Sequence, residues 1–328
     1  MNKRIRFFDP GRGYLKIKAE IDSEMQRVLT AGDLILREDV EKFEESLAKY
    51  VGAKYAVGLN SGTDALYLSL KALKLEGKRV ALPSHTFKAT CRAVVNSGAI
   101  PVLYDMDGVL ESRHVDAHIP VHIAGELSPI SDLGIPVIED ACQSLGALTN
   151  PISNVQCWSF YPAKILGAYG DAGAITTNDF QIYDYIKGAR DQFKIDNRDF
   201  GGNYRMDNLQ ACILNVKFKY LLEFLTKRFN IAQMYFGGLR NIDLPSNKLG
   251  RVFQDFIVRT PERDKLYDFL KEKGVETLKN EYLWSPEYPK LPLAAKYEAE
   301  TLRLPCNPDL TNEEVDYVIE KVNDFSRT

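Results

Sequence analysis

Apolar residues recur at two spacings along this chain, and the change from one to the other lays out its elements. Ile17, Ile21, Met25 and Val28 fall at helical spacing and predict an amphipathic helix over residues 14–29, stopped by Ala31-Gly32-Asp33. Val40, Phe43, Leu47 and Tyr50 predict a second helix over 37–50. Short apolar runs then alternate with helical patterns. Strands are expected at 55–59, 79–83, 100–104, 119–123, 135–139, 155–160 and 174–177, and helices at 65–75, 86–96 and 179–190. The runs at 119–123 and 135–139 are almost wholly apolar, which means burial on both faces, as in a mostly parallel sheet covered by helices. The links 107–119 and 125–135 are too short for full crossover helices, so the helical layer must be trimmed there.

The second half changes character. A polar stretch at 191–203 reads as an exposed loop, and a long helical region over 207–239 reads as the bridge to a second domain. That domain carries a strand at 253–259 and a helix opened by Thr260-Pro261-Glu262. A last helix at 312–325 has Thr311 and Glu314 placed as a capping box. A length of 328 residues is long for one compact domain. The division expected is a large α/β domain over 1–239 and a smaller C-terminal α+β domain over 240–328.

Composition removes whole classes of function. A net charge of −3 gives no electrostatic case for nucleic acid or an anionic membrane surface. No apolar run approaches the ~20 residues of a membrane span, and the first residues lack the apolar core of a signal peptide. The five cysteines are scattered, as buried free thiols in a reducing compartment would be. A cytoplasmic protein is expected. The four histidines show no metal-ligand spacing, so no metal is expected. There is no G-x-G-x-x-G turn between strand and helix, no phosphate-binding G-x-x-x-x-G-K-[ST] loop and no G-x-S-x-G elbow.

Three stretches retain chemical promise. Asn60-Ser61-Gly62-Thr63-Asp64 joins a strand to a helix through small hydroxyl residues, the recipe for seating a phosphate on a helix N-terminus; the plainer reading is a helix cap. Glu139-Asp140 ends a buried strand, where open α/β sheets bind ligands, although a cap or structural ion pair would look the same. Lys164 follows the strand 155–160 in a loop of small residues. Most loop lysines are solvated cations, but one delivered by a buried strand could be a desolvated Schiff-base lysine.

Phosphate seat, strand-end aspartate and strand-end lysine occur here in the order found in pyridoxal-phosphate enzymes of the aspartate-aminotransferase fold (fold type I). Ser-Gly-Thr-Asp-Ala-Leu at 61–66, Pro-Ser-His-Thr-Phe-Lys-Ala-Thr at 83–90 and Val-His-Ile-Ala-Gly at 121–125 resemble nucleotide-sugar aminotransferases of the DegT type (the DegT/DnrJ/StrS family). So do Glu-Asp-Ala-Cys-Gln-Ser at 139–144, Ser-Phe-Tyr-Pro-Ala-Lys at 159–164 and Gly-Asn-Tyr-Arg-Met-Asp-Asn-Leu-Gln-Ala at 202–211. The resemblance implies that Lys164 holds pyridoxal 5'-phosphate covalently and shuttles protons, and that Asp140 pairs with the ring nitrogen. Gln143 would bond the phenolic oxygen and Phe87 would stack on the ring. Gly62, Thr63, the Asp64 backbone and Ser159 would hold the phosphate. Asn203 would reach the cofactor phosphate of a second subunit, making a homodimer with shared active sites.

The activity implied is transfer of an amino group, from L-glutamate in most relatives, to a nucleotide-linked keto-sugar. The motif at 121–125 leans toward a 4-keto-6-deoxyhexose; a 3-keto sugar or a keto-cyclitol is the alternative within the class, and a non-catalytic cofactor-binding or regulatory protein lies outside it. A sugar dehydratase is set aside, since the related dehydratases carry histidine in place of the lysine. Departures from the family pattern are the two short links, Asp33-Leu34 in place of an aromatic pair, and Glu287-Tyr288-Pro289-Lys290-Leu291-Pro292 without the usual histidine.

Overall fold

In the computed structural model, which describes residues 4–107, 115–130, 132, 134–147, 153–195, 201–280 and 291–326, the apolar runs form strands whose neighbours in the sheet are out of chain order. β1 (Tyr55–Leu59), β2 (Arg79–Pro83), β3 (Ile100–Tyr104), β4 (Ala117–His118), β5 (Ile138–Asp140), β6 (Val155–Ser159) and β7 (Gly173–Thr177) are hydrogen-bonded as β3-β2-β4 and β5-β6-β7-β1. Parallel bridges from His118 to Val137 and from Val121 to Asp140 join the two sets. Only β7 runs antiparallel to its neighbours β6 and β1; the other pairings are parallel.

Both faces are covered, as such a sheet requires. Along β6, Val155 and Cys157 belong to a core with α4 (Gly62–Ala72), α5 (Lys88–Asn96) and α6 (Phe180–Ala189). Trp158 and Phe160 belong to another core with α3 (Glu38–Val51) and α7 (Asn208–Phe218). A third core gathers Ile5, Tyr235 of α8 (Leu221–Gly238), Leu266 of α9 (Arg263–Glu272) and Val318 of α11 (Asn312–Phe325). They pack around the antiparallel sheet β8-β10-β9, formed by Phe256–Arg259, Thr301–Leu304 and Leu278–Lys279. No helix among the described residues is long and apolar enough to cross a membrane.

Several elements differ from expectation for identifiable reasons. The helix expected over 14–29 is two, α1 (Pro10–Lys16) and α2 (Lys18–Ala31), with Ile17 out of helical conformation between them. Arg12 to Glu314 at 2.7 Å and Lys16 to Asp309 at 2.8 Å draw α1 to the C-terminal body, while α2 packs on α7. The region expected as one helix over 207–239 breaks at Lys219 and Tyr220, because α7 packs on the large sheet and α8 in the third core. The strand expected at 119–123 does not form: Pro120 has no N–H to give a ladder, β4 stops at His118, Val121 makes only an isolated bridge and Ile123–Gly125 is a 3-10 turn; past Pro136, β5 begins only at Ile138. α4 starts three residues earlier than expected because Ser61 caps it, and α5 starts at Lys88 behind Phe87. Thr260 caps a turn ahead of α9 rather than the helix itself, its hydroxyl accepting from the Glu262 N–H at 3.2 Å.

The trimmed layer is present where it can be seen: no described residue between Gly125 and Ile138 is helical. Most of the 107–119 link lies outside the described residues, as do 287–290 and 196–200.

The capping box on α11 forms as read, with Thr311 accepting from the Glu314 N–H at 3.2 Å and Glu314 accepting from the Thr311 N–H at 2.9 Å. Thr311→Ala is therefore expected to lower stability by about 1 kcal/mol, seen as a lower urea midpoint, while Thr311→Ser keeps the midpoint near wild type.

Candidate active site

The first wall of the site is the N-terminus of α4. The Ser61 hydroxyl accepts from the Asp64 N–H at 3.1 Å and donates to the Asp64 carboxylate at 2.8 Å. The Asp64 N–H is thus used within the cap, and the N–H groups of Gly62 and Thr63 remain at the positive end of the helix. This end is pressed onto the sheet. A Cβ on Gly173 would stand 2.2 Å from the Ser61 carbonyl carbon, and one on Gly62 would stand 2.7 Å from Cys142 Sγ and 2.9 Å from Ser159 Cβ. Only glycine allows that approach, and it brings Gly62, Thr63 and Ser159 together. Asn60, just before the cap, has a buried side-chain oxygen with no partner among the described residues.

The second wall is the end of β5, where Glu139 and Asp140 are both buried. Successive strand residues face opposite ways, and each carboxylate has its own donors. Glu139 receives His122 Nε2 at 2.9 Å and Gln156 Nε2 at 3.4 Å. His122 Nδ1 accepts from the Ser128 N–H at 3.1 Å, so the proton sits on Nε2 and a neutral ring can serve Glu139. Asp140 receives the Thr90 hydroxyl at 2.7 Å and the Cys142 N–H at 3.3 Å. Gln143 Oε1 accepts from the Ala124 N–H at 2.7 Å, which leaves its NH2 group to donate.

The third wall is the loop after β6. Lys164 is half-buried, and among the described residues its Nζ has no hydrogen-bond or ion-pair partner. The Cys142 thiol marks the meeting point of the walls: burial pushes it well above its ordinary range, the Asp140 charge adds to that and the Lys164 charge opposes it. Two residues hold the loop that no sequence signal singled out. Gln254 accepts from the Ile165 N–H at 2.9 Å and donates to the Ala163 carbonyl at 2.8 Å, bracketing Lys164 on both sides. Lys217 donates to the Gly167 carbonyl and lies 4.3 Å from the centre of the Tyr169 ring. Both come from distant sequence and fold onto the loop only in the finished structure. Thr90 lies in the 83–90 motif, yet nothing in the sequence says which carboxylate it meets.

Of the residues expected at the site, Gly62, Thr63, Ser159, Asp140, Gln143 and Lys164 converge. Phe87 stands half exposed immediately before α5, its carbonyl oxygen 3.1 Å from Thr90 Oγ1. Asn203 is exposed, and its side chain makes no hydrogen bond among the described residues. Helix-end donors for an anion, a fixed carboxylate, an amide donor and an unpaired amine suit an aromatic phosphate ester with a basic ring nitrogen and an aldehyde. Pyridoxal phosphate has those groups. Beside the site opens a cleft of about 840 Å³ lined by Tyr104, Glu126, Ser128, Arg251 and Tyr297. Ala124 belongs to both, lining the cleft while its N–H holds Gln143.

Comparison with known proteins agrees with this chemistry. Residues 15–323 match the model of the DegT/DnrJ/EryC1/StrS aminotransferase family. The chain is 32% identical to a pleiotropic regulatory protein of Geobacillus stearothermophilus, the match covering 98% of this chain and 99% of that one. It is also 32% identical to the dTDP-3-amino-3,4,6-trideoxy-alpha-D-glucose transaminase of Streptomyces venezuelae, over 98% of this chain and 96% of the relative. That alignment spans 367 positions, more than the 328 residues of this chain. The crystal structure of S. venezuelae DesV in complex with a ketimine intermediate superposes with a TM-score of 0.93, at 32% identity, over 99% of both chains.

Burial lowers the pKa of Lys217 from 10.5 to about 8, against a smaller upward pull from Asp309. A lysine more easily deprotonated in the fold than in the unfolded chain works against folding below about pH 8, and this penalty is relieved as pH rises toward 10. The stability of wild type minus that of Lys217→Met should therefore increase between pH 8 and 10, by no more than about 1.4 kcal/mol per pH unit, in denaturant titrations of the two proteins.

Proposed function

Because the chain belongs to the DegT/DnrJ/EryC1/StrS aminotransferase family, and is a pyridoxal-phosphate-dependent aminotransferase, we propose that it moves the amino group of L-glutamate onto a nucleotide-linked keto-hexose. The observation that carries the site assignment is the convergence of the unpaired Lys164 amine, the Asp140 carboxylate and the open N–H groups of Gly62 and Thr63. The nucleotide-linked keto-sugar is supported by the S. venezuelae transaminase, whose name specifies a dTDP-linked 3-amino sugar. That name favours amination at carbon 3 over the carbon 4 suggested by the motif at 121–125.

Pyridoxal phosphate, when bound, supplies the electron sink that lets a C–H bond beside nitrogen ionise. The chain supplies position and protons. Gly62 and Thr63 N–H groups with the Thr63 and Ser159 hydroxyls seat the phosphate, and Phe87 covers the ring. The Asp140 carboxylate keeps a proton on the ring nitrogen, and the Gln143 NH2 group donates to the phenolic oxygen. Lys164 holds the cofactor in the resting enzyme. Once released, its Nζ takes the proton from the α-carbon of the donor and, in the second half of the cycle, delivers one to the sugar carbon that receives nitrogen. Two subunits share each site, with Asn203 reaching the phosphate bound by the other. Its exposure, together with that of Leu34, Ile35 and Tyr161, supports this arrangement.

Purified holoenzyme should show a visible absorbance band that L-glutamate bleaches and a suitable keto-sugar restores. Lys164→Ala should keep its circular dichroism spectrum but lose the band and at least about 10²-fold in turnover. A variant that still turned over would remove the lysine from its role. Absence of bleaching by any amino acid in wild type would favour a regulatory protein instead. Supplying 3-keto and 4-keto nucleotide sugars to the aminated enzyme and reading the product by NMR settles the carbon. Asn203→Ala should weaken cofactor binding about 10-fold, the worth of one hydrogen bond to a charged group; unchanged affinity in equilibrium dialysis would rule out the shared site.

A further inference from the structure

We propose that Thr86 and Thr90 form a directional hydroxyl relay that keeps the Asp140 carboxylate ionised and aimed, so that the shared proton stays on the cofactor ring nitrogen rather than on Asp140. The inference rests on the pairing of Asp140 with that nitrogen proposed above.

The direction of the relay follows from counting protons. Thr90 Oγ1 has three neighbours within hydrogen-bond distance. They are Asp140 Oδ2 at 2.7 Å, Thr86 Oγ1 at 2.8 Å and the Phe87 carbonyl oxygen at 3.1 Å, with the Phe87 carbonyl also 3.5 Å from Thr86 Oγ1. A hydroxyl has one proton to give. The ionised carboxylate is the nearest and strongest acceptor, so the Thr90 proton goes to Asp140. The 2.8 Å contact between the hydroxyls can then be made only by Thr86 donating to Thr90. A hydroxyl that accepts a bond donates a stronger one, so Thr86 acts on Asp140 through Thr90.

The surroundings make this bond matter. Thr86 and Thr90 are fully buried, and Asp140 is 6% exposed. The other donors to Asp140 both belong to Cys142: its N–H is long at 3.3 Å, and its thiol is a weak donor. Without Thr90 the carboxylate would face burial with only the long N–H bond and the weak thiol donor of Cys142, and burial favours the neutral acid. In a buried carboxylate–pyridinium pair this moves the proton from nitrogen to Asp140 and removes the positive charge that draws electrons into the ring. The same helix start also fixes Phe87, since Thr90 lies one turn after it in α5. One element therefore places both the ring's cover and the ring nitrogen's partner.

The test uses holoenzyme reconstituted with pyridoxal phosphate labelled with 15N in the ring, whose chemical shift reports protonation. In wild type the nitrogen should be protonated at pH 8, and in Asp140→Asn it should not. Thr90→Val should move the signal toward the deprotonated position and slow the glutamate half-reaction on the order of 10- to 100-fold, the worth of one hydrogen bond to an ionised group. Thr90→Ser should restore both. Thr86→Val should move the signal the same way by less, and the double variant should be no worse than Thr90→Val, because Thr86 has no other route to Asp140. If Asp140→Asn shifts the signal and Thr90→Val does not, the relay is refuted and the aspartate pairing stands. If neither shifts it, the pairing falls as well. Additive effects of the two threonines would refute the relay direction. Should Thr90→Val fail to fold, Thr86→Val decides: a wild-type signal there refutes the relay.

Discussion

Two buried carboxylates side by side at the end of a three-residue strand constrain this molecule more than any other feature. Glu139 and Asp140 cannot both be buried ionised without dedicated donors, since an unpaired buried charge costs several kcal/mol. Their donors come from separate elements. His122 arrives from beyond β4, Gln156 from β6, Thr90 from the first turn of α5 and Cys142 from the residues following β5. Satisfying the two charges therefore fixes the lateral register of β4, β5 and β6 and sets α5 against the sheet. Glu139 spends its donors on the sheet itself. Asp140, one residue on and facing the other way, can be held equally firmly while keeping lone pairs for a ligand.

The C-terminal body completes the site from the other side. Its connections are backbone contacts that tolerate little displacement. Arg228 is fully buried, and its Nη1 donates to the carbonyls of Gln254 and Cys306, both at 2.9 Å, beside that of Phe253. This ties α8 to the segment carrying Gln254, and Gln254 brackets Lys164. On the same segment the Val252 N–H donates to the Gly125 carbonyl at 3.1 Å. A Cβ on Gly125 would stand 2.3 Å from the Val252 oxygen, and φ is +83° there. The turn that places Ala124 against Gln143 and the loop that presents Lys164 are thus held by one stretch of chain. Asp105 adds a further tie by accepting from the Leu293 and Ala294 N–H groups, both at 2.9 Å, at the start of α10 (Pro292–Glu300). Burial pushes the Asp105 carboxyl up, but the backbone donors outweigh it and hold the group below its ordinary range.

What could be read from sequence was what local chemistry decides. The alternation of apolar runs and helical spacing yielded the strand series except at 119–123, and the Thr311 capping box is a four-residue rule that no tertiary contact disturbed. The candidate site residues were legible as an ordered set of motifs, because the proposed phosphate seat, the strand-end carboxylate and the lysine each sit where a strand stops. Other features depend on partners hundreds of residues away. The break at Ile17 follows from Glu314 and Asp309, and the break at Lys219 and Tyr220 follows from two cores pulling one helical pattern apart. Gln254 and Lys217 look like ordinary polar positions until the chain closes over the lysine loop. The prolines at 120 and 136 were visible, yet an all-apolar run hid that they would shorten the ladders of β4 and β5.

The surroundings of β4 show which parts of such a protein can vary. Among the described residues, β4 keeps its place through its parallel pairing with β2, the parallel bridges of His118 and Val121 and the His122–Glu139 bond. Beside these lies the cleft at Ala124, lined in part by Tyr104 to Met106 and Glu126 to Pro129. Because that cleft shares only one turn with the Gln143 side of the site, its walls can be rebuilt without disturbing the groups around Asp140 and Lys164. The residues that would do the chemistry are fixed by burial and charge, and those that would choose the substrate lie where the fold has been left free to change.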